Sequence, residues 1–184
     1  KNILIGTMDN RLYWEQFYKD EHIKEPSDFA KTTNLRYRKM IDLGCGNGRD
    51  TLYFKSLGTG ITGVDEFSPF GSDFINTKIE DFIKNDTVWG ALYMRFLLHV
   101  IDENLEDDIF AWATQKVDYA IFIECRSDKG IVPDNNHYRR LINGEKLKLK
   151  IVSAGFDIKY FAEQTGFAEY KGEDPVIIRL VAKR

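Results

Sequence analysis

The sequence predicts one α/β domain with a doubly wound, mostly parallel sheet. Short apolar runs, Tyr37 to Leu43, Gly60 to Val64, Trp89 to Met94 and Asp118 to Glu124, alternate with stretches of helical pattern. The last of these runs is apolar at nearly every position, as expected of a central parallel strand covered on both faces. The first runs straight into glycines at alternate positions, Gly44, Gly46 and Gly48, and then into a helix that starts near Arg49. Such a strand, glycine turn and helix bring backbone N–H groups to the carboxyl end of a sheet, where ligands of doubly wound folds bind.

At 184 residues the chain is long enough to bury its own core, and 30% charged with 43% apolar residues is ordinary for a globular protein. A net charge of −3 argues against a partner bound through a broad basic face, such as nucleic acid. No run approaches the roughly 18 apolar residues of a membrane span and no signal segment is seen, so a cytoplasmic location is expected. Cys45 and Cys125 are expected to be small buried residues, and no Cys/His cluster has metal spacing. The chain opens on Lys1, as a trimmed chain or one domain of a longer polypeptide would. Oligomeric state is not legible.

Taken in order, residues 11–24 place Tyr13 or Trp14, Phe17 and Tyr18 on one face of an amphipathic helix. Ser27 or Asp28 is placed to cap a short helix through Asn34. After the glycine turn a helix from Arg49 to Leu57 is stopped by Gly58-Thr59-Gly60. Only residues 66–72 then separate the second strand from an extended segment, Asp73 to Lys78, too few for a helical crossover. Residues 95–101 are expected to turn into a helix containing His99 as a structural residue. A helix from Asn104 to Lys116 carries acids early and Lys116 late, as its dipole favours. The strand from Asp118 ends in Glu124-Cys125-Arg126. After a loop, His137-Tyr138-Arg139-Arg140 reads either as a solvated helix start or as a catalytic cluster. Leu147 to Ala154 is a helix ended by Gly155, and Phe156 to Glu163 pairs with Pro175 to Ala182 as a hairpin.

The segment Asp42-x-Gly44-x-Gly46-x-Gly48, with Asp65 closing the second strand, resembles the first motif and ribose-binding acid of class I S-adenosylmethionine (SAM)-dependent methyltransferases. A dinucleotide fold would instead want G-x-G-x-x-G. The resemblance implies a Rossmann-like, seven-stranded sheet with an antiparallel final strand, residues 1–184 forming one domain with an N-terminal lid helix at about 11–34. It implies SAM as cofactor, with Asp42, Gly44, Gly46 and Gly48 toward the methionine part, Asp65 toward ribose and Ile79 or Glu80 toward adenine, and with Cys45, Glu66 and Met94 also among the cofactor-binding residues. The family often has an acid on adenine where this chain has Lys78, a departure from the pattern.

The same resemblance implies that the remaining strand ends hold the methyl acceptor. Arg95, Glu124, Arg126 and His137 are the catalytic candidates, with His137 as general base; Tyr13, Tyr18, Tyr138 and Arg139 are the substrate-binding candidates. Three arginines and a histidine against one acid favour an anionic small-molecule or sugar-linked acceptor: a phosphate, a phosphoramidate or a uronate. The chain resembles small methyltransferases of bacterial surface-glycan pathways, and an O-methyltransferase is the expected form. The alternatives are an N-methyltransferase on a small amine, using Tyr13, Tyr18 and Glu124, and a non-enzymatic SAM-binding module of a larger protein.

Overall fold

The computed structural model describes residues 12–14, 16–17, 24–33, 37–69, 71–131, 139–169 and 172–184. Residues 12–14 and 16–17 are helical, and the rings of Tyr13, Trp14 and Phe17 pack together with centroids 5.0 to 6.2 Å apart. Tyr18 lies outside the described residues. Ser27 then caps α1 (Asp28–Thr32), its hydroxyl accepting from the Ala30 N–H at 3.0 Å.

Strand β1 (Met40–Leu43), all buried, passes through the glycine turn into α2 (Arg49–Ser56), which starts from Gly48 in the left-handed region. Strands β2 (Ile61–Val64) and β3 (Phe74–Ile75) pair in parallel, and the described residues between them hold no helix, as the short spacing predicted. A single turn, α3 (Ile79–Phe82), leads to β4 (Trp89–Arg95).

Residues 96–101 form a turn, which corrects the helix expected there. Two local features prevent it. Phe96 has φ 57°, which ends the strand in a left-handed step, and Asp102 is extended and caps the next helix through the Leu105 N–H at 2.9 Å. That helix is α4 (Glu103–Lys116), followed at once by β5 (Val117–Arg126). Asn143 caps α5 (Gly144–Ser153), and β6 (Asp157–Gln164) and β7 (Ile177–Lys183) complete the sheet. His137 and Tyr138 lie outside the described residues; residues 139–143 are not helical, and Ile142 bridges Ser127.

The seven strands run in the order β3-β2-β1-β4-β5-β7-β6, with β7 antiparallel to both neighbours. The first half of the order reverses at β1 and β4, the switch point of a doubly wound sheet, where the carboxyl ends of adjacent strands open a crevice. Alternation along the strands supplies two cores. Met40, Ile61, Ala91, Tyr93, Ala120 and Phe122 pack under Phe29 of α1 and Phe54 of α2. Ile41, Leu43, Leu92, Met94, Ile121 and Ile123 pack against Leu105, Ile109 and Phe110 of α4 and Leu147 and Ile151 of α5.

Candidate active site

The glycine turn is shaped by backbone conformations that other residues resist. Gly44, Gly46 and Gly48 have φ 76°, 55° and 76°. Two of them also leave room for neighbours: a Cβ on Gly44 would stand 2.9 Å from Leu97 Cδ1, and one on Gly48 2.5 Å from the Phe74 ring. Gly48→Ala is therefore expected to destabilise the fold by about 1–3 kcal/mol, because strain and overpacking act together, and chemical denaturation measures it.

The turn is bound to the end of β2. Val64 O accepts from the Gly44 and Cys45 N–H groups at 2.8 and 3.1 Å. Asp65 Oδ2 accepts from Gly46 N–H at 3.0 Å, and its Oδ1 from Phe67 N–H at 2.8 Å. Burial pushes the Asp65 carboxyl up and these two N–H groups pull it back down. An ionised carboxylate offers about four lone-pair sites, so two acceptor positions remain for a ligand.

Asp42 is buried at 2% exposure and accepts from the Thr51 hydroxyl at 2.6 Å, tying β1 to α2. Burial pushes its pKa up to about 8 from 3.8, against the Thr51 hydrogen bond and with Asp50 and Asp65 adding to the rise. Between those two values the folded chain binds the proton that the unfolded chain releases, so this group's contribution to stability falls as pH rises from 3.8 to about 8. Asp42→Asn is expected to flatten that part of a stability profile measured by denaturant titration.

Of the other residues expected toward a cofactor, Cys45 is partly buried, and burial beside Asp42 and Asp65 pushes its thiol up. Glu66 follows Asp65 in the turn after β2 and is partly buried. Ile79 and Glu80 open α3, the first partly buried and the second exposed. Met94 is corrected: it is 0% exposed and its side chain belongs to the core under α4, because it faces away from Tyr93 and Arg95 on the same strand.

Arg95 and Glu124 come together, as partners of each other. Glu124, 1% exposed, accepts from Arg95 Nε at 2.9 Å through Oε1 and from Arg179 Nε at 2.6 Å through Oε2. Arg179 Nη2 reaches Asp28 of α1 at 3.1 Å, and Arg95 Nε lies 3.9 Å from Asp50 Oδ2. Asp50 in turn accepts from Ser27 N–H and Oγ, both at 2.7 Å, and from the Tyr93 hydroxyl at 2.9 Å. Burial pushes the Glu124 carboxyl up while the two guanidinium groups pull it down. This network joins α1 and α2 to the ends of β4, β5 and β7. Sequence reasoning missed Arg179 and Asp50 and saw Ser27 only as a helix cap, although a single charge inside the apolar run Val176 to Ala182 was a visible signal.

Arg126 and Arg139 form a second constellation. The Arg126 N–H donates to His99 Nδ1 at 3.3 Å, and the ring of His99, 2% exposed, stands edge-on to Phe96, so His99 has the structural part expected of it. Ile142 N–H donates to Arg126 O at 3.0 Å and Arg140 N–H to His99 O at 2.9 Å, which lays residues 139–142 beside the end of β5. Arg126 Nη2 lies 3.7 Å from Glu173 Oε2, and its buried Nε has no hydrogen-bond partner among the described residues. Burial pulls both arginines down; Arg126 lowers Arg139 further, while Tyr13 and Glu173 pull Arg139 back up. The N-terminal helical residues, the β5 end, the 139–142 segment and the β6–β7 connection thus meet here.

Comparison with solved structures decides what this architecture is. A SAM-dependent methyltransferase from Archaeoglobus fulgidus matches with a TM-score of 0.65 at 16% identity, over 96% of this chain and 95% of that one. The fold is that of the SAM-dependent methyltransferases. A methyltransferase fold is likewise shared with 1,6-didemethyltoxoflavin-N1-methyltransferase of Burkholderia thailandensis, solved with S-adenosylhomocysteine (TM-score 0.64, 16% identity, 100% of this chain and 81% of that one). It is shared too with TehB of Haemophilus influenzae (TM-score 0.66, 14% identity, 85% of this chain and 60% of that one). A family model described as tellurite resistance protein TehB matches residues 8–93, slightly less than half of the chain. That span holds the glycine turn and Asp65, together with Tyr13, and stops before Arg95. No curated protein matches the chain in sequence. Among the described residues no helix is long and apolar enough to cross a membrane, and no cluster could hold a metal ion.

Proposed function

We propose that the protein is an enzyme that transfers a methyl group from SAM to a small anionic acceptor. The observation that carries the cofactor assignment is the Asp65 carboxylate, anchored by Gly46 and Phe67 N–H groups with acceptor capacity left over, beside a turn of three left-handed glycines. Those residues fit SAM: Asp65 would take the ribose hydroxyls, the glycine turn would lie against the methionine part, and Ile79 and Glu80 at the start of α3 would meet adenine. When bound, SAM supplies a methyl group activated by its sulfonium. The chain's own contribution is to align the acceptor, exclude water and accept a proton where the acceptor is a hydroxyl.

For the acceptor, Arg126 and Arg139 bring two positive charges to the same side of the strand ends, and they favour an anion. His137 would take the proton, and Tyr13, Tyr18 and Tyr138 would line the same side. Arg95 and Glu124, each held by the other, act as positioning residues for the strand ends. A phosphorylated, phosphoramidate or sugar-acid acceptor of surface-glycan biosynthesis, met in the cytoplasm, is the form of this reading that we favour. The test is turnover: SAM incubated with the protein and a panel of phosphorylated and carboxylated sugars should yield S-adenosylhomocysteine with at least one of them. Binding of SAM without turnover of any acceptor would leave a SAM-binding module.

A further inference from the structure

Two of the acids that face arginines at the strand ends, Glu124 and Glu173, are held in opposite ways. Glu124 is 1% exposed, with an arginine on each oxygen at 2.9 and 2.6 Å. Glu173 is 57% exposed at its side chain and meets Arg126 at 3.7 Å, longer than a hydrogen bond, while the Arg126 side chain is only 12% exposed. A solvated carboxylate in a long contact contributes little and leaves easily.

We propose that Glu173 is a tethered stand-in for the anionic group of the acceptor, and thereby the residue that sets how much negative charge an acceptor needs in order to bind. This rests on the assignment of Arg126 and Arg139 to the acceptor. Glu173 sits in the connection between β6 and β7, and that connection is fastened on both sides. Asp174 Oδ1 accepts from Gly166 N–H at 2.6 Å, and Val176 O accepts from Ser127 N–H at 2.9 Å, next to Arg126 itself. The carboxylate is therefore kept at high local concentration near the guanidinium, and a free anion must outcompete it.

The geometry also favours one class of anion. Glu173 reaches one terminal nitrogen of Arg126 and leaves the buried Nε without a partner among the described residues. A guanidinium presents Nε and Nη as a fork that a phosphate-type group fills with two oxygens, with a third left for Arg139 beside it. A doubly charged phosphate ester matches two arginines once Glu173 has moved aside. A monocarboxylate does not.

Calorimetry on the full chain tests this with inorganic phosphate and acetate as probes. Glu173→Gln is expected to bind phosphate about tenfold more tightly than the wild type, with a smaller gain for acetate. Adding Arg126→Gln should abolish the gain; Arg126→Lys, which keeps a charge in the half-buried position, replaces it if that variant does not fold. Equal phosphate affinity in wild type and Glu173→Gln, a gain that survives loss of the Arg126 fork, or an equal gain for acetate would overturn the proposal. S-adenosylhomocysteine titrated into the same samples separates the two levels. Retained binding with no phosphate effect removes the Glu173 role alone, whereas no binding to the wild type removes the cofactor assignment.

Discussion

Replacing Asp65 with alanine is expected to weaken SAM binding at least about a hundredfold. Hydrogen bonds to a charged group contribute roughly 1.5–3 kcal/mol each, so loss of two ribose contacts amounts to about 3–6 kcal/mol, and 1.4 kcal/mol is a factor of ten. The effect has a second source in this structure. Asp65 is also what holds Gly46 N–H, so its removal frees the middle of the glycine turn. Asp65→Asn separates the two sources: the amide keeps the size and one acceptor oxygen but loses the charge and puts an NH2 against one of the two backbone donors. It should fall between wild type and alanine. Calorimetry with SAM and with S-adenosylhomocysteine reads both variants, and an unchanged dissociation constant for Asp65→Ala would sink the cofactor assignment.

Glu124→Ala is expected to lower stability by about 3–5 kcal/mol, because it leaves Arg95 and Arg179 facing each other with their shared counter-charge gone. For a domain of this size that corresponds to a fall in Tm of roughly 10 °C. The same result distinguishes two roles. A carboxylate whose work was acid-base chemistry would, when changed to glutamine, stop turnover and leave Tm near the wild type. A positioning residue should behave otherwise: Glu124→Gln loses stability, and activity falls with the folded fraction. A full Tm with no turnover would return Glu124 to the catalytic group.

Much of the glycine turn and its surroundings was legible because its signals are local. Three glycines at alternate positions imply backbone conformations with positive φ, and the structure has them at Gly44, Gly46 and Gly48. The shortness of residues 66–72 argued against a crossover helix, and the described residues there hold none. Caps were readable as well: of the two candidates Ser27 and Asp28, Ser27 caps α1. The expected helix over 95–101 failed for a reason that periodicity does not carry. Apolar residues at helical spacing there face the core from a turn, and the left-handed step at Phe96 comes from its place after the last paired residue of β4, with its N–H on Glu124 O at 2.7 Å.

By itself the sequence determined the class of fold, the glycine turn and the acid that serves it, since each depends on a few neighbouring residues and on conformations that residue type dictates. Only the tertiary structure decided which charges answer which. Arg95 meets Glu124 because β4 and β5 pair in that register, and Glu124 meets Arg179 because β7 returns antiparallel beside β5. Those partners stand 29 and 55 residues apart along the chain. No local pattern encodes a strand register at that range; it is set when both sheet faces bury their apolar residues at once, and the pairing of the charges follows from it.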